Sequence, residues 1–235
     1  MKKLAIVLIV TLTASFMSGC MFPQERRAEN RMPYEDQVRS VQSAVDQFKE
    51  ANGGILPIKT KEEGTPLYEK YPIDFKKLMP QFIAEPPGNA FESGGIFQYA
   101  LVDVEKNPTV KLIDLRMAEQ IRDIQMRIRS QGYPPFKDNI ANNVYTLDFK
   151  KIGFKEEPYV VSPYTNQNLP LVISGDGHIY VDYSSDLYAA LKKSGKKMKS
   201  GEDIRPLLLE GSLFAPAFSL PYTVNEKNEP VFMVK

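Results

Sequence analysis

The chain has 235 residues, of which 43% are apolar and 25% charged, a balance typical of a globular protein. Its 30 basic and 29 acidic side chains give a formal net charge of +1. This near-neutral charge argues against a nucleic-acid binder and against a polybasic membrane-surface protein, because phosphate neutralisation requires a basic field. A single cysteine, Cys20, and a single histidine, His178, exclude a disulfide framework and a multi-histidine zinc site within one chain.

The first 19 residues have the pattern of an export signal. Lys2 and Lys3 precede an apolar run at residues 4–16, which suits a signal peptide and is short for a membrane-spanning helix of about 20 residues. The segment Met17-Ser18-Gly19-Cys20 resembles the lipobox of bacterial lipoproteins. The resemblance implies cleavage before Cys20 and lipid attachment to its thiol, which anchors the mature chain to the extracytoplasmic face of the cell membrane. An ordinary secretory signal with an incidental cysteine is the alternative.

Residues 20–34 are mostly polar and predict a tether, after which two amphipathic helices are expected. Apolar residues recur at helical spacing at Val38, Val41, Ala44, Val45 and Phe48, and again at Met117, Ile121, Ile124 and Ile128. Gly53 and Gly132 are expected to end the two helices, and each is followed by a proline-bearing exit.

An internal repeat organises the central part of the chain. The motif Asp-Phe-Lys-Lys begins at Asp74 and recurs 74 residues later at Asp148. A proline-bearing turn and a strand pattern follow each copy, at residues 96–102 in the first and at residues 171–181, around an Asp-Gly turn, in the second. We therefore predict an α+β fold with two tandem helix-plus-small-antiparallel-sheet units, at residues 35–107 and 108–183.

Residues 184–235 are predicted to form a short helical and hairpin extension. Ser185 is a candidate N-cap for a helix that carries Leu187, Tyr188 and Leu191. A second short helix is expected within residues 200–210, and Pro206 allows it to begin as late as Arg205. Two apolar runs at residues 221–224 and 230–234 predict a closing hairpin.

Two family resemblances go beyond these patterns. The first half resembles the globular part of type II secretion pseudopilins and type IV pilins. The residues that carry this likeness are Asn52, Gly53, Pro57, Pro86, Gly88 and Tyr99. It implies a fold and not filament assembly, because the prepilin cleavage site and apolar stem are missing; the departure at residues 85–88 also puts calcium binding there in doubt. The whole chain resembles the YphF-like lipoproteins of endospore-forming Gram-positive bacteria. That resemblance implies a cell-envelope location and carries over only the lipid-bearing Cys20.

Three groups of residues are candidate chemical sites. His178 is a candidate base or metal ligand, but its place beside a turn favours an ordinary strand residue. Asp74 and Asp148 are candidate carboxylates for acid–base work on a wall glycan, although the position before Phe-Lys-Lys favours helix N-caps. Five lysines at 192, 193, 196, 197 and 199 form a basic cluster that could meet anionic lipid or teichoic acid, whereas a solvated helix end is the favoured interpretation.

These patterns favour a non-enzymatic envelope protein, without a cofactor, that binds a partner or supports assembly. The expected partners are the membrane, through lipid on Cys20, and another envelope protein; nucleic acid is not expected. One alternative is a lipid-anchored solute-binding protein with a cleft between the two repeats. The other is a cell-wall hydrolase that depends on paired carboxylates.

Overall fold

The computed structural model describes residues 31–233, with side chains described from residue 34 onward. Residues Gln37–Lys235 form one unit by their contacts, and the described part of the other unit, Met1–Asp36, is the beginning of a helix. The predicted signal segment and Cys20 lie outside the described residues. No helix in the described part of the chain is both long enough and apolar enough to cross a membrane.

The elements confirm the predicted α+β class. The helices are α1 (Arg31–Ala51), α2 (Phe75–Leu78), α3 (Leu115–Gln131) and α4 (Ser184–Ser194). Short 3₁₀ helices lie at Leu67–Glu69, Phe91–Ser93, Phe149–Ile152 and Arg205–Leu208. The strands are β1 (Phe97–Val102), β2 (Thr109–Asp114), β3 (Phe136–Ala141), β4 (Val144–Leu147), β5 (Val160–Val161), β6 (Asn168–Leu169), β7 (Leu171–Ser174), β8 (Ile179–Val181), β9 (Tyr222–Val224) and β10 (Pro230–Phe232).

The first repeat consists of α1, α2 and the antiparallel β1–β2 hairpin. The predicted apolar stripe of α1 is confirmed, because Val38, Val41, Ala44 and Val45 are buried. A polar side chain also joins the helix to the hairpin: the Gln42 amide donates to the carbonyl of Pro108 at 3.0 Å and accepts from the Val110 N–H at 2.7 Å. One glutamine therefore pairs two backbone groups at the start of β2.

The second repeat consists of α3 and a four-stranded antiparallel sheet in the order β3-β4-β7-β8. The Asp114 side chain caps the start of α3 by accepting from the Arg116 N–H at 3.0 Å. Gly132 ends the helix in the left-handed conformation, with a φ of 95° that favours glycine. Met117, Ile121 and Ile124 face the core, as the predicted stripe requires.

Matching backbone contacts link the two copies of the Asp-Phe-Lys-Lys motif. The Asp74 N–H donates to the carbonyl of Pro57 at 2.8 Å, and the Asp148 N–H donates to the carbonyl of Pro135 at 2.9 Å. The neighbouring residues also pair in the same way, Ile58 with Ile73 and Phe136 with Leu147. Each motif is thus held by the proline-bearing exit of the preceding helix. The repeat in the sequence is therefore a repeat in the structure.

A segment near the carboxyl terminus lies against the sheets of both repeats. We call residues 213–218 the strap. On the first sheet, the Leu112 N–H donates to the carbonyl of Leu213 at 2.8 Å and the Leu112 carbonyl accepts from Ala215 at 3.0 Å. On the second sheet, the Val181 N–H donates to the carbonyl of Phe218 at 2.8 Å. The strap therefore covers β2 of one sheet and β8 of the other.

The apolar cores follow this arrangement. One cluster combines α3 and the second sheet with side chains of the carboxyl-terminal extension, including Leu187, Leu208 and Tyr222. Another combines the first sheet with Ala215 and Ala217 of the strap. The extension predicted at 184–235 is therefore part of the cores of both repeats.

Several boundaries differ from the predictions. The predicted division at 107/108 falls in the connection between β1 and β2, which pair along their whole length, so the first repeat runs to Asp114. Helix α1 begins at Arg31, inside the predicted tether. The N-cap of α4 is Tyr183 and not Ser185, and the carboxylate of Asp182 accepts from the Ser184 N–H at 2.8 Å. The β3–β4 hairpin was not predicted.

Candidate functional site

The second sheet ends in a strand that is exposed along most of its length. Strand β3 lies at the end of the order β3-β4-β7-β8, and within residues 31–233 no strand pairs with its outer side. Tyr133, just before the strand, is 62% exposed, while Phe136 is 41% and Ile140 is 42% exposed. We call these three side chains, together with the outer edge of β3, the β3 surface. Exposed apolar groups beside an open strand edge are a feature of peptide-binding sheets.

Contacts to β4 hold β3 in place. The Phe136 ring packs on the Tyr145 ring with centroids 4.9 Å apart. The Thr146 hydroxyl accepts from the Asp138 N–H at 3.0 Å and donates to the Asp138 carboxylate at 3.1 Å. The register shifts on both sides of Asn139, which bends the strand. The surface is therefore presented by a strand whose inner side pairs with β4.

His178 lies beside two residues of the turn that joins β7 to β8. Its Nδ1 is 3.1 Å from Oδ2 of Asp176, and both side chains are more than half exposed. The Ser174 hydroxyl donates to the other oxygen of Asp176, and this hydrogen bond is the main reason that the pKa of Asp176 is lowered. The carboxylate thus lies between the hydroxyl and the imidazole.

This order does not suit nucleophilic catalysis. A serine nucleophile must give its proton to the histidine, which the carboxylate orients from the other side. Here the hydroxyl of Ser174 is bonded to the carboxylate, and Ser174 is only 5% exposed. The three residues therefore stabilise the β7–β8 turn, in agreement with the interpretation of His178 as a residue beside a turn.

The repeated aspartates behave differently from each other. The Asp74 carboxylate accepts from the Lys76 N–H at 3.2 Å and so caps α2, as predicted. Asp148 occupies the N-cap position of the 3₁₀ helix Phe149–Ile152, but its side chain makes no capping hydrogen bond. Instead it lies 3.5 Å from the Lys151 ammonium group. The capping role predicted for both is therefore correct for Asp74 and wrong for the side chain of Asp148.

The lysine cluster lies at the exposed end of α4 and in the loop that follows. Lys192 and Lys193 are in the last turn of α4, where basic side chains favour the helix dipole. Lys196 pairs with Glu210 at 2.7 Å. The loop itself is held on the closing hairpin, since the Asn228 side chain bonds to the N–H of Met198 and to the carbonyl of Lys196, both at 3.0 Å. These contacts agree with a solvated helix end.

The sequence did not single out the buried carboxylate of Asp186 or the half-buried one of Glu69. Asp186 is 1% exposed and accepts from the hydroxyls of Ser162 and Thr165, the latter at 2.6 Å. Burial raises the pKa of Asp186. Glu69, at the 3₁₀ helix Leu67–Glu69, accepts from the Phe218 N–H at 2.7 Å, and burial raises its pKa as well. Both carboxylates hold chain segments together.

Within residues 31–233, no group of three histidine, cysteine, aspartate or glutamate side chains is placed to hold a metal ion.

Comparison with known proteins bears on the first repeat. Residues 34–114 match the model of the YphF family N-terminal domain. The match supports a YphF-like family for this chain. It ends at Asp114, the last residue of β2, and therefore coincides with the complete first repeat. No curated protein and no solved structure matches the chain.

Proposed function

We propose that this chain is a lipid-anchored extracytoplasmic protein of the cell envelope that binds another envelope protein through the β3 surface. The observation that carries the proposal is the exposed β3 edge, which is flanked by Phe136 and Ile140. An extended segment of the partner would add to β3 as a further antiparallel or parallel strand. Backbone hydrogen bonds would supply affinity, and the two exposed apolar side chains would select the partner's sequence.

The other strand edges favour this choice. In the first repeat the strap hydrogen-bonds to β2 through the backbone of Leu112. In the second it hydrogen-bonds to β8 through the backbone of Val181. The opposite edge of the first sheet is a single-residue bridge at Ile58, which offers little backbone to a partner. Of the sheet edges in the described residues, β3 therefore presents the longest free strand.

The proposed location of the chain at the membrane depends on the pattern of its amino-terminal residues. The lipobox-like Met17-Ser18-Gly19-Cys20 supports a lipid anchor. The match of residues 34–114 supports a YphF-like family and does not itself bear on the anchor. The pilin-like features of the first repeat enter only as a fold relationship. Two acyl chains on Cys20 would give stable membrane attachment.

Photo-crosslinking in living cells tests the binding surface. A photoreactive phenylalanine analogue is placed at Phe136 and, as a matched control, at Phe91, which is 62% exposed on the first repeat. We expect one discrete adduct with an envelope protein from position 136 and none from position 91. A second variant, Ile140→Asp, should reduce the adduct from position 136, because a carboxylate would meet the partner's apolar side chain. No adduct from position 136, or the same adducts from both positions, would contradict the proposal.

The anchor is tested separately. Wild type should incorporate a fatty-acid label, whereas Cys20→Ser, which lacks the thiol that would carry the lipid, should not. An unlabelled wild type, or an equally labelled Cys20→Ser variant, would refute the lipid anchor and leave the β3 proposal to its own experiment.

A further inference from the structure

A surface depression lies between α3 and the β7–β8 turn. Its volume is about 240 Å³, and it is lined by Gln125, Ile128, Arg129, Asp176, Gly177 and His178. A water molecule occupies about 30 Å³ of liquid, so the depression has room for a ligand of several non-hydrogen atoms. It lies on the second repeat alone, apart from the cleft between repeats that the sequence suggested.

The polar groups around the depression are mainly hydrogen-bond donors. The guanidinium of Arg129 and the amide of Gln125 come from α3, and the imidazole of His178 comes from the turn. The only acidic group in the lining is Asp176, and its two oxygens already accept from Ser174 and lie against His178. Since Nδ1 of His178 faces Asp176, Nε2 is the ring nitrogen left for a ligand, and it donates to an oxyanion in the imidazolium form, in which both ring nitrogens carry a proton.

The arginines of α3 differ in their partners. Arg116 pairs with Asp114, and Arg127 pairs with Asp123 at 3.2 Å while its guanidinium lies over the Phe154 ring. Neither Arg122 nor Arg129 makes an ion pair with any of the described residues, and of these two only Arg129 lines the depression. The helix dipole alone favours a basic residue in the last turn. The dipole does not explain why the Gln125 amide of α3 and the His178 imidazole of the β7–β8 turn lie around the same depression as Arg129.

We propose that this depression binds a phosphate-sized oxyanion, with Arg129 as the charged anchor and Gln125 and His178 as orienting groups. A guanidinium can donate two parallel hydrogen bonds to such a group, which makes arginine the strongest of the three contacts. The remaining volume accommodates a small organic substituent on the oxyanion. This site is independent of the β3 surface and of any partner bound there.

The single histidine of the chain makes the experiment direct, because its ring signals in a proton NMR spectrum belong to one residue in the lining of the depression. The full chain in a non-ionic detergent is titrated with inorganic phosphate at constant pH and at an ionic strength balanced with chloride. We expect a saturable shift of the His178 ring signals. Arg129→Gln should weaken the apparent affinity by about tenfold or more, which corresponds to the loss of one charge-assisted interaction.

Arg122→Gln is the matched control, since Arg122 is exposed on the same helix and does not line the depression. It removes the same charge and should leave the titration unchanged. A linear, non-saturating drift in all three proteins, or equal weakening by the two substitutions, would overturn the site, because both outcomes describe general electrostatics. Circular dichroism confirms that both variants are folded.

A second titration with glycerol phosphate distinguishes a free ion from an organic phosphate. Tighter binding of glycerol phosphate than of inorganic phosphate supports a ligand whose organic part also occupies the depression. Equal affinities support recognition of the oxyanion group alone. Failure of both compounds to shift the His178 signals would overturn the proposal.

Discussion

The two repeats share a plan but are stabilised differently. In the first, a helix with small apolar residues, Val41 and Ala44, docks with the help of the Gln42 amide. In the second, a helix with larger residues, such as Ile121 and Ile124, docks by apolar packing in a core that it shares with the carboxyl-terminal extension. Two units with the same order of helices and strands can therefore be stabilised by different interactions.

The repeats also differ in what they leave open. The outer strand of the second sheet is a six-residue strand, whereas the equivalent part of the first is the single bridge at Ile58. The longer β3–β4 hairpin is what gives the second repeat an edge that a partner can use. In the proposed binding mode, the longer hairpin of the second repeat would confine partner binding to one of the two copies.

Cutting back the apolar side chains should give the largest difference between the repeats. Ile124 and Val41 are both fully buried, on α3 and α1 respectively. Ile124→Ala should lower the free energy of unfolding by about 2–5 kcal/mol, because it leaves a cavity in the shared core. Val41→Ala removes two carbon atoms where Ile124→Ala removes three, so it should cost less: about 1.5 kcal/mol of transfer free energy and a smaller cavity term. Urea denaturation of the two variants measures both values, and an equal cost would show that the two helices are packed alike.

The paired aspartates should give a smaller difference. Asp74→Ala removes a capping hydrogen bond and should cost about 1 kcal/mol. Asp148→Ala removes only an ion pair with the exposed Lys151 and should cost at most about 0.5 kcal/mol. The denaturation midpoints of the two variants, compared in the same buffer, test this order. A larger loss for Asp148→Ala would mean that its carboxylate acts in a way that the observed contacts do not explain.

The smallest expected effect is a pH dependence at the contact between the first repeat and the strap. Burial raises the pKa of Glu69 above its ordinary value of 4.5, so the folded chain holds this proton more tightly than the unfolded chain. The resulting stabilisation is complete below pH 4.5 and is lost as the pH rises through the raised pKa. The free energy of unfolding of wild type, relative to Glu69→Gln, should therefore fall as the pH rises from 4.5 through the raised pKa of Glu69.

Glutamine retains an oxygen that can accept from the Phe218 N–H, so the variant keeps the contact and removes only the titration. Asp186 contributes in the same direction through its own raised pKa, but it is present in both proteins and cancels in the comparison. A difference that does not change with pH would contradict the assignment to Glu69.

The sequence was a good guide where a pattern is local. The stripes of α1 and α3, the β7–β8 turn and the closing hairpin all depend on the spacing of apolar residues and on turn residues a few positions apart. The β3–β4 hairpin was missed because Phe136–Ala141 is exposed along most of its length and so lacks an alternating apolar pattern. The sequence did contain a turn signal, the pair Asn142-Asn143, because asparagine tolerates positive φ angles. In the structure Asn143 has a φ of 57°.

The candidate sites were harder to predict because they depend on tertiary contacts. The depression combines Arg129 of α3 with His178, which lies 49 residues later, and neither residue belongs to a motif. The strap binds Leu112 through residues about one hundred positions away, and no local pattern distinguishes it from an ordinary loop. The Asp-Phe-Lys-Lys repeat predicted two similar units, but it did not indicate which of them has an unpaired strand edge.

The strap also sets the order in which the chain can mature. The first repeat lies about one hundred residues before the strap in the sequence, so the hydrogen-bonding groups of Leu112 find their partners only when residues 213–218 dock on β2. Contacts of such long sequence separation form late and slow the folding of a domain. Until the strap docks, the folding chain exposes an unpaired β2 edge that could pair with a neighbouring molecule. A premature stop codon before the strap should therefore be more harmful than its distance from the first repeat suggests, and it should yield an aggregation-prone product.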